Sequence, residues 1–420
     1  MLIIAYHNSH QQYRIEDTDE QVREHASMTT SAEQIRAYQG LALFSYGFRP
    51  FFVFGAAWSA LALALWLPML SGHLALPSAF SPIDWHVHEL IYGYVPSVVA
   101  GFLLTAVPNW TGRLPVVGVP LAALFSIWIA GRAAIAMSSI VAPSVAAAVD
   151  LSFLAALGTV IAREIVAGRN WRNLKVLAAV GVLLIGNAIF HWEAIEGRAN
   201  GYGTRIGLAA TLMLIMLVGG RIIPSFTRNW LAKRGPGRLP VTFDSADMLV
   251  MAASALALLA WIAWPDARMT AWLAILAAVL NAIRLSRWAG ERTTAEPLVL
   301  ILHVAFAFVP IGFVLLALAI LAPSLVAPTG ALHGWTAGAI GLMTLAVMTR
   351  ASLGHTAQTL TATWPIQAIY AAAAVSALAR IVAAFHLWRE PMLHLAATAW
   401  VAAFLGFVIV FGPLLLRRRS

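Results

Sequence analysis

Cysteine is absent from this chain of 420 residues. Its absence excludes disulfides, thiolate metal sites, iron–sulfur clusters and the covalent attachment that c-type haem requires. Any metal ion must therefore be held by histidine, methionine, carboxylate or backbone oxygen ligands.

Charge is also scarce, since charged residues make up 11% of the chain whereas a soluble domain has about 25%. Hydrophobic residues make up 60%, and the apolar runs recur at about 20 residues, the length of a helix that crosses a bilayer. The alternating pattern of a β-barrel is missing, so the composition predicts an all-α membrane protein. The net charge of +9 comes from residues in short loops and does not indicate nucleic-acid binding.

Twelve transmembrane helices are predicted. Lys and Arg are concentrated in every second loop, which predicts that both termini are cytoplasmic. The layout is a polar cytoplasmic tail at 1–40, a twelve-helix transmembrane domain at 41–416 and a basic cytoplasmic C-terminus at 417–420. The predicted spans are 46–70, 85–108, 115–137, 141–163, 174–195, 204–227, 245–264, 270–287, 297–321, 331–351, 364–386 and 392–416.

Related short motifs end three of these spans. Span 2 ends in Pro-Asn-Trp-Thr at 108–111, span 6 in Pro-Ser-Phe-Thr at 224–227 and span 10 in Met-Thr-Arg at 348–350. Because the motifs recur every four spans, they favour three pseudo-repeated units of four helices each.

Six histidines fall inside the predicted spans or at their ends, where ionisable groups are costly and usually have a function. Two are near the cytoplasmic side and the other four near the outer side. His333 and His355 are 22 residues apart, which is about 33 Å of helix. The spacing therefore predicts two metal sites, one at each depth. The outer set is His86, His88, His191 and His333, and the inner set is His303 and His355.

Two polar neighbours are predicted to support these ligands. His86 and His88 point to opposite sides of a helix, whereas Glu89 lies on nearly the same face as His86. Glu89 is therefore predicted to orient an imidazole, to bind the metal or to relay protons. Asn109 is a second polar group in an otherwise apolar stretch and is assigned a similar supporting role.

Three arginines lie toward the cytoplasmic side of the spans, namely Arg49, Arg221 and Arg350. Guanidinium groups pair well with carboxylates, so the propionates of a haem are predicted partners. The alternative is that these side chains extend to the lipid headgroups.

The same histidines have other interpretations. A single intramembrane histidine is often only a hydrogen-bonded packing residue. Histidine and glutamate relays also occur in proton-coupled transporters that contain no metal.

Several of these stretches resemble the NnrS family, bacterial inner-membrane proteins that contain haem and copper and are linked to nitric oxide stress. The resemblance runs from about residue 44 to residue 356. Its most specific segments are Phe-Arg-Pro-Phe-Phe at 48–52, Trp-His-Val-His-Glu at 85–89, the stretch 101–112, Gly-Gly-Arg-Ile-Ile-Pro at 219–224 and the stretch 348–356.

The resemblance implies a haem- and copper-binding protein of nitric oxide metabolism or nitrosative-stress defence. The six histidines match family histidine positions and are the candidate metal ligands. The resemblance does not imply which of them bind copper and which bind haem. The haem is expected to be b-type. The implied activity is handling of nitric oxide, or of a related nitrogen species, with electrons from an unidentified donor. A nitric oxide sensor without turnover is the alternative within the family.

Overall fold

The computed structural model describes residues 38–197 and 201–417. Within these ranges it contains twelve helices that are long and apolar enough to cross a membrane, and no strand. The predicted all-α membrane fold is confirmed. Most of the predicted N-terminal tail, and residues 418–420 of the predicted C-terminal segment, lie outside the described residues. The cytoplasmic location of the termini and the threefold repeat remain predictions.

The twelve helices are numbered in chain order. They are α1 (Phe48–Leu70), α2 (Pro82–Thr111), α3 (Val119–Ala136), α4 (Pro143–Ala167), α5 (Trp171–Ile195), α6 (Tyr202–Leu231), α7 (Ser245–Ala263), α8 (Arg268–Ser286), α9 (Pro297–Leu321), α10 (Pro328–His355), α11 (Trp364–Ala384) and α12 (Arg389–Leu416).

Local sequence explains where α2 begins and ends. The Ser81 hydroxyl accepts a hydrogen bond from the Asp84 backbone N–H at 3.1 Å, and Pro82 occupies the first turn, where its missing N–H costs nothing. At the other end Gly112 adopts φ 70°, a left-handed conformation that glycine enters without strain. These signals extend α2 beyond the predicted 85–108 at both ends.

Helices α2, α6 and α10 form the centre of the bundle. In their most apolar windows 78%, 72% and 72% of the residues are buried, against 39–44% in every other helix except α9. Each of the three contains a π-helical stretch, at Glu89–Tyr94, Ile215–Gly219 and Gly334–Gly341. Such wider turns change the direction in which the following side chains point and often occur at functional sites.

Candidate metal centre and cofactor cavity

A buried group of metal-ligating side chains lies where α2 and α4 begin and α5 ends, on the predicted outer side. His88, Asp150 and His191 each offer one ligand atom, and these atoms lie within 4.8 Å of one another. Among the described residues, it is the one group of three or more His, Asp or Glu side chains with this arrangement. We call it the carboxylate–imidazole cluster.

The three side chains converge on a single oxygen atom. Oδ2 of Asp150 lies 3.2 Å from Nε2 of His88 and 3.1 Å from Nε2 of His191. The same oxygen accepts a hydrogen bond from Nδ2 of Asn187 at 2.7 Å. All four side chains are buried, so water does not compete for these contacts.

A second layer of side chains holds the cluster in place. Arg132 of α3 donates to Oε2 of Glu89 at 2.7 Å and also pairs with Oδ1 of Asp150. The indole of Trp58 donates to the same Glu89 oxygen at 2.6 Å. The other Glu89 oxygen lies 3.0 Å from Nδ1 of His88 and so fixes the orientation of that ring. Carboxylates support metal-binding imidazoles in this way.

The protons on His88 can be assigned from these contacts. Nδ1 faces a Glu89 carboxylate oxygen and therefore donates to it. Nε2 faces Oδ2 of Asp150 and, at 3.1 Å, Oδ1 of Asn187. The Asn187 amide takes this orientation because the reverse one would place its oxygen against the carboxylate oxygen of Asp150, which also only accepts. Nε2 of His88 therefore faces only acceptors, an arrangement that requires a proton or a cation between them.

The formal charges lead to the same requirement. Glu89 and Asp150 contribute two negative charges, and Arg132 contributes one positive charge. One negative charge is left over in a buried site, where an unpaired charge is strongly unfavourable. A single positive charge on or beside His88 would balance the cluster.

The π-helical stretch of α2 begins at the cluster and brings backbone close to it. The carbonyl of Gly93 accepts a hydrogen bond from the Trp128 indole at 2.9 Å. A Cβ atom at Gly93 would lie 2.8 Å from Oε2 of Glu89 and would also collide with the Arg132 guanidinium. Glycine is therefore required here for the close approach of α2 to Arg132.

His86 and His88 point to opposite sides of α2, as predicted. The His86 ring stacks on Trp66 of α1 with centroids 4.1 Å apart, whereas His88 faces α4 and α5. The predicted outer set therefore divides in two. Arg380 lies 2.8 Å from Nε2 of His333, and His86 is close enough to both residues to interact with them electrostatically.

The two inner histidines have different surroundings. Nε2 of His303 lies 2.8 Å from the Thr227 hydroxyl, and its buried Nδ1 has no hydrogen-bond partner in the part of the chain that the structure describes. The His355 ring packs against Tyr46 and Phe48 at 5.2 and 5.6 Å between centroids. Among the described residues, His303 and His355 therefore contact different side chains.

His355 lines a cavity of about 420 Å³ between α1, α2, α6, α9 and α10 on the predicted cytoplasmic side. Most of the wall is apolar, and the Arg350 guanidinium lies 4.0 Å from the Phe226 ring centroid. We call this space the inner cavity. Its lining residues are Phe52, Phe102, Thr105, Ala106, Asn109, Trp110, Ile222, Phe226, Leu302, Val347, Arg350, Ala351, Gly354, His355 and Leu360.

The other two predicted arginines are not among the lining residues. Arg49 donates to the carbonyls of Leu415 and Arg417, each at 2.9 Å, at the C-terminal end of α12. Arg221 donates to Asn173 at 3.2 Å. Of the three predicted arginines, Arg350 is therefore the one that lines the inner cavity.

The two sites differ in the ligands that their chemistry fits. Two imidazoles and a carboxylate form a donor set that suits copper, as well as other transition metals. An apolar cavity with one imidazole and one guanidinium fits haem, which needs an axial ligand and a partner for its carboxylates.

Sequence reasoning missed three residues that build or border these sites. Asp150, Arg132 and Arg380 are charged residues within membrane-spanning helices. That placement alone is a signal of function, because such residues are rare in helices that face lipid. Asn187 of α5 is a further polar residue of the cluster, since it contacts both His88 and Asp150.

The fold and the cluster define a multi-pass membrane protein with a buried centre of histidine and carboxylate side chains that could hold a metal ion. The chain belongs to the NnrS family, because the family model described as NnrS protein matches residues 42–419. The match includes α11 and α12, which lie beyond the stretch 44–356 over which the sequence resembles the family. No curated protein matches the chain. Membership fits a bacterial membrane protein tied to the response to nitric oxide, in a family associated with metal or haem binding.

Proposed function

We propose that this protein binds a copper ion at the carboxylate–imidazole cluster and a b-type haem in the inner cavity. In our proposal it uses them to handle nitric oxide in the bacterial inner membrane. The single observation that carries the proposal is the position of His88 Nε2 among acceptors in a cluster that lacks one positive charge.

Copper(I) meets the requirement of the cluster. It carries one positive charge and accepts neutral imidazole ligands. His88 and His191 would bind it through Nε2, because these are the atoms that converge near Asp150. Glu89 would keep the proton on Nδ1 of His88, and Arg132 would keep Asp150 ionised and in place.

The inner cavity supplies the groups that a haem requires. His355 would provide an imidazole ligand, and Arg350 would pair with a propionate. Asn109 is the amide in the wall and would hydrogen-bond to the same polar edge. The aromatic side chains would exclude water from the ring. When bound, haem and copper supply open coordination positions and exchange single electrons, with a donor that is still to be identified.

The other predicted ligands are secondary in this proposal. Nδ1 of His303 is buried and free to accept a metal or a proton, but among the described residues His303 belongs to no group of three or more potential metal ligands. Predicted roles for His86 and His333 in metal binding remain open to test.

A proton on His88 is the second candidate, and it would make the cluster part of a transporter or a proton relay. The same geometry favours it, because a proton balances the charge as well as copper(I) does. Metal content separates the two candidates.

The test is metal analysis and absorption spectroscopy of the purified protein. We expect one copper ion and a Soret band. His88→Ala and His191→Ala should lose copper and keep the Soret band, whereas His355→Ala should do the reverse. His394→Ala, at an exposed site on α12, is the control and should keep both.

Two results would contradict the proposal. Full copper content in a protein with both His88 and His191 replaced would leave the cluster as a proton site. A purified protein without a Soret band would contradict the proposal that the inner cavity binds haem. Addition of nitric oxide distinguishes turnover from sensing, because a sensor changes its spectrum without consuming the gas.

A further inference from the structure

We propose a second polar site, an anion-binding site formed by Arg380 of α11, His333 of α10 and His86 of α2, with Trp66 of α1 against it. The occupant is a small, planar, monovalent oxyanion of the kind that nitrite and nitrate represent. The inference does not depend on the copper or haem assignment.

Arg380 is the origin of the proposal because its charge lacks a counter-charge. The buried guanidinium of Arg132 pairs with two carboxylates, and that of Arg284 donates to Asp247 at 2.6 Å. Arg380 lies within the span and is only partly accessible, yet no carboxylate of a described residue pairs with it. A guanidinium in this position is stabilised by an anion.

The hydrogen bonds of Arg380 leave donors available. Its Nη2 lies 2.8 Å from Nε2 and 3.1 Å from Nδ1 of His333. Its remaining N–H groups have no acceptor among the described residues. A guanidinium offers these N–H groups as a planar fork, which matches two oxygens of a planar oxyanion.

His86 supplies the second observation. Its Nδ1 is buried and has no hydrogen-bond partner among the described residues, although the ring is fixed by stacking on Trp66 at 4.1 Å. Arg380 is close enough to act on this ring electrostatically. Buried nitrogen atoms are rarely left without a partner. An anion beside Arg380 would accept the proton of a neutral imidazole at this position.

The same contacts disfavour a cation between His86 and His333. Nδ1 of His333 lies 3.0 Å from the carbonyl of Thr329, to which it donates. Nε2 then accepts from Arg380, so neither ring nitrogen has a free lone pair for a metal. The guanidinium would also repel a metal ion placed between the two rings.

The test is calorimetric titration of the full-length protein in nanodiscs of zwitterionic lipid, with sodium nitrite and sodium nitrate as probes. We expect saturable binding of both. Arg380→Gln, which removes the charge and keeps a shorter polar side chain, should weaken binding by about 10- to 100-fold. His86→Ala should weaken it less. Arg268→Gln removes an exposed arginine at the start of α8 and should leave binding unchanged.

Several results would overturn the site. Absence of binding by the wild-type protein, or equal affinity in Arg380→Gln, excludes an anion at Arg380. Equal affinity for chloride or phosphate excludes the planar monovalent oxyanion. Copper analysis of His333→Ala gives an independent check, since loss of copper there with retention in Arg380→Gln would show a metal site instead. The copper content of His88→Ala tests the proposed function separately.

Discussion

The carboxylate–imidazole cluster and the inner cavity are both built around α2, but they are opposite kinds of site. The cluster is closely packed, and its charged atoms contact one another directly. The inner cavity is roomy and mostly apolar, with Arg350, His355 and Asn109 as its main polar groups.

The difference teaches how each site depends on its ligand. Side chains of the cluster hold one another in place, so removal of one leaves another buried and unpaired, which is costly even without a metal. Side chains of the inner cavity already face open space and lose little when one of them is truncated. Mutations in the cluster should therefore cause both loss of the metal and loss of stability. Mutations in the inner cavity should cause loss of the cofactor without loss of stability.

The largest effect is expected for Asp150→Ala. The substitution leaves Arg132 and His88 without their shared carboxylate, so we expect a loss of about 3–5 kcal/mol in stability together with loss of copper. Thermal unfolding in detergent and metal analysis measure the two effects. Ser152→Ala changes an exposed residue two positions away on α4 and should have neither effect.

His355→Ala should have the opposite profile. Removal of the imidazole from the cavity wall should abolish the Soret band, while the unfolding temperature of the haem-free protein stays close to that of haem-free wild type. Arg350→Gln should keep haem but bind it about 10-fold more weakly, because one charge-assisted contact is lost. A haem-free His355→Ala protein that unfolds as early as Asp150→Ala would remove the contrast between the sites.

Much of this fold follows from the sequence for a simple physical reason. Each apolar run must satisfy its own backbone in lipid, so its length and the Arg-rich loops predict a helix without knowledge of the neighbours. The π-helical stretches of α2, α6 and α10 could not be predicted in this way. They depend on close approaches such as that of Gly93 to Arg132, which only the packed bundle creates.

The sequence predicts the depth of each histidine along its helix but not which side chains contact one another. Counting residues along helices placed His88 and His191 at one level, and they do meet around Asp150. Counting cannot tell which helix faces meet, and the same depth also includes His86, which stacks on Trp66, and His333, which contacts Arg380. His303 and His355 likewise share a depth but have separate contacts.

Gly93→Ala tests whether the π-helical stretch positions the cluster. The added methyl group would collide with Arg132 and Glu89, so we expect a loss of about 1–3 kcal/mol in stability and weaker copper retention. Gly181→Ala on α5 is a matched control, because a Cβ at Gly181 meets no atom within 4 Å. Equal behaviour of the two variants would mean that α2 can move away from Arg132 without consequence.

The smallest effect on stability is expected for a carboxylate–arginine contact outside the membrane-spanning helices, which is exposed to solvent and so contrasts with the buried cluster. Asp244 precedes α7, pairs with Arg287 and accepts a hydrogen bond from the Asp247 backbone N–H at 3.2 Å. These contacts lower the pKa of Asp244 from 3.8 to about 2. Because the pKa is lower in the folded protein, the stabilisation is present above pH 3.8 and is lost as the pH falls through about 2.

Asp244→Asn should remove this pH dependence while keeping the helix cap, since asparagine caps helices as well as aspartate does. The difference in unfolding temperature between wild type and variant should be small at pH 5 and should disappear near pH 2. A difference that stays constant over this range would mean that the contact with Arg287 is fully screened by water, as many exposed ion pairs are. Asp150 is buried and paired with Arg132, so its replacement should lower stability far more than replacement of the exposed Asp244.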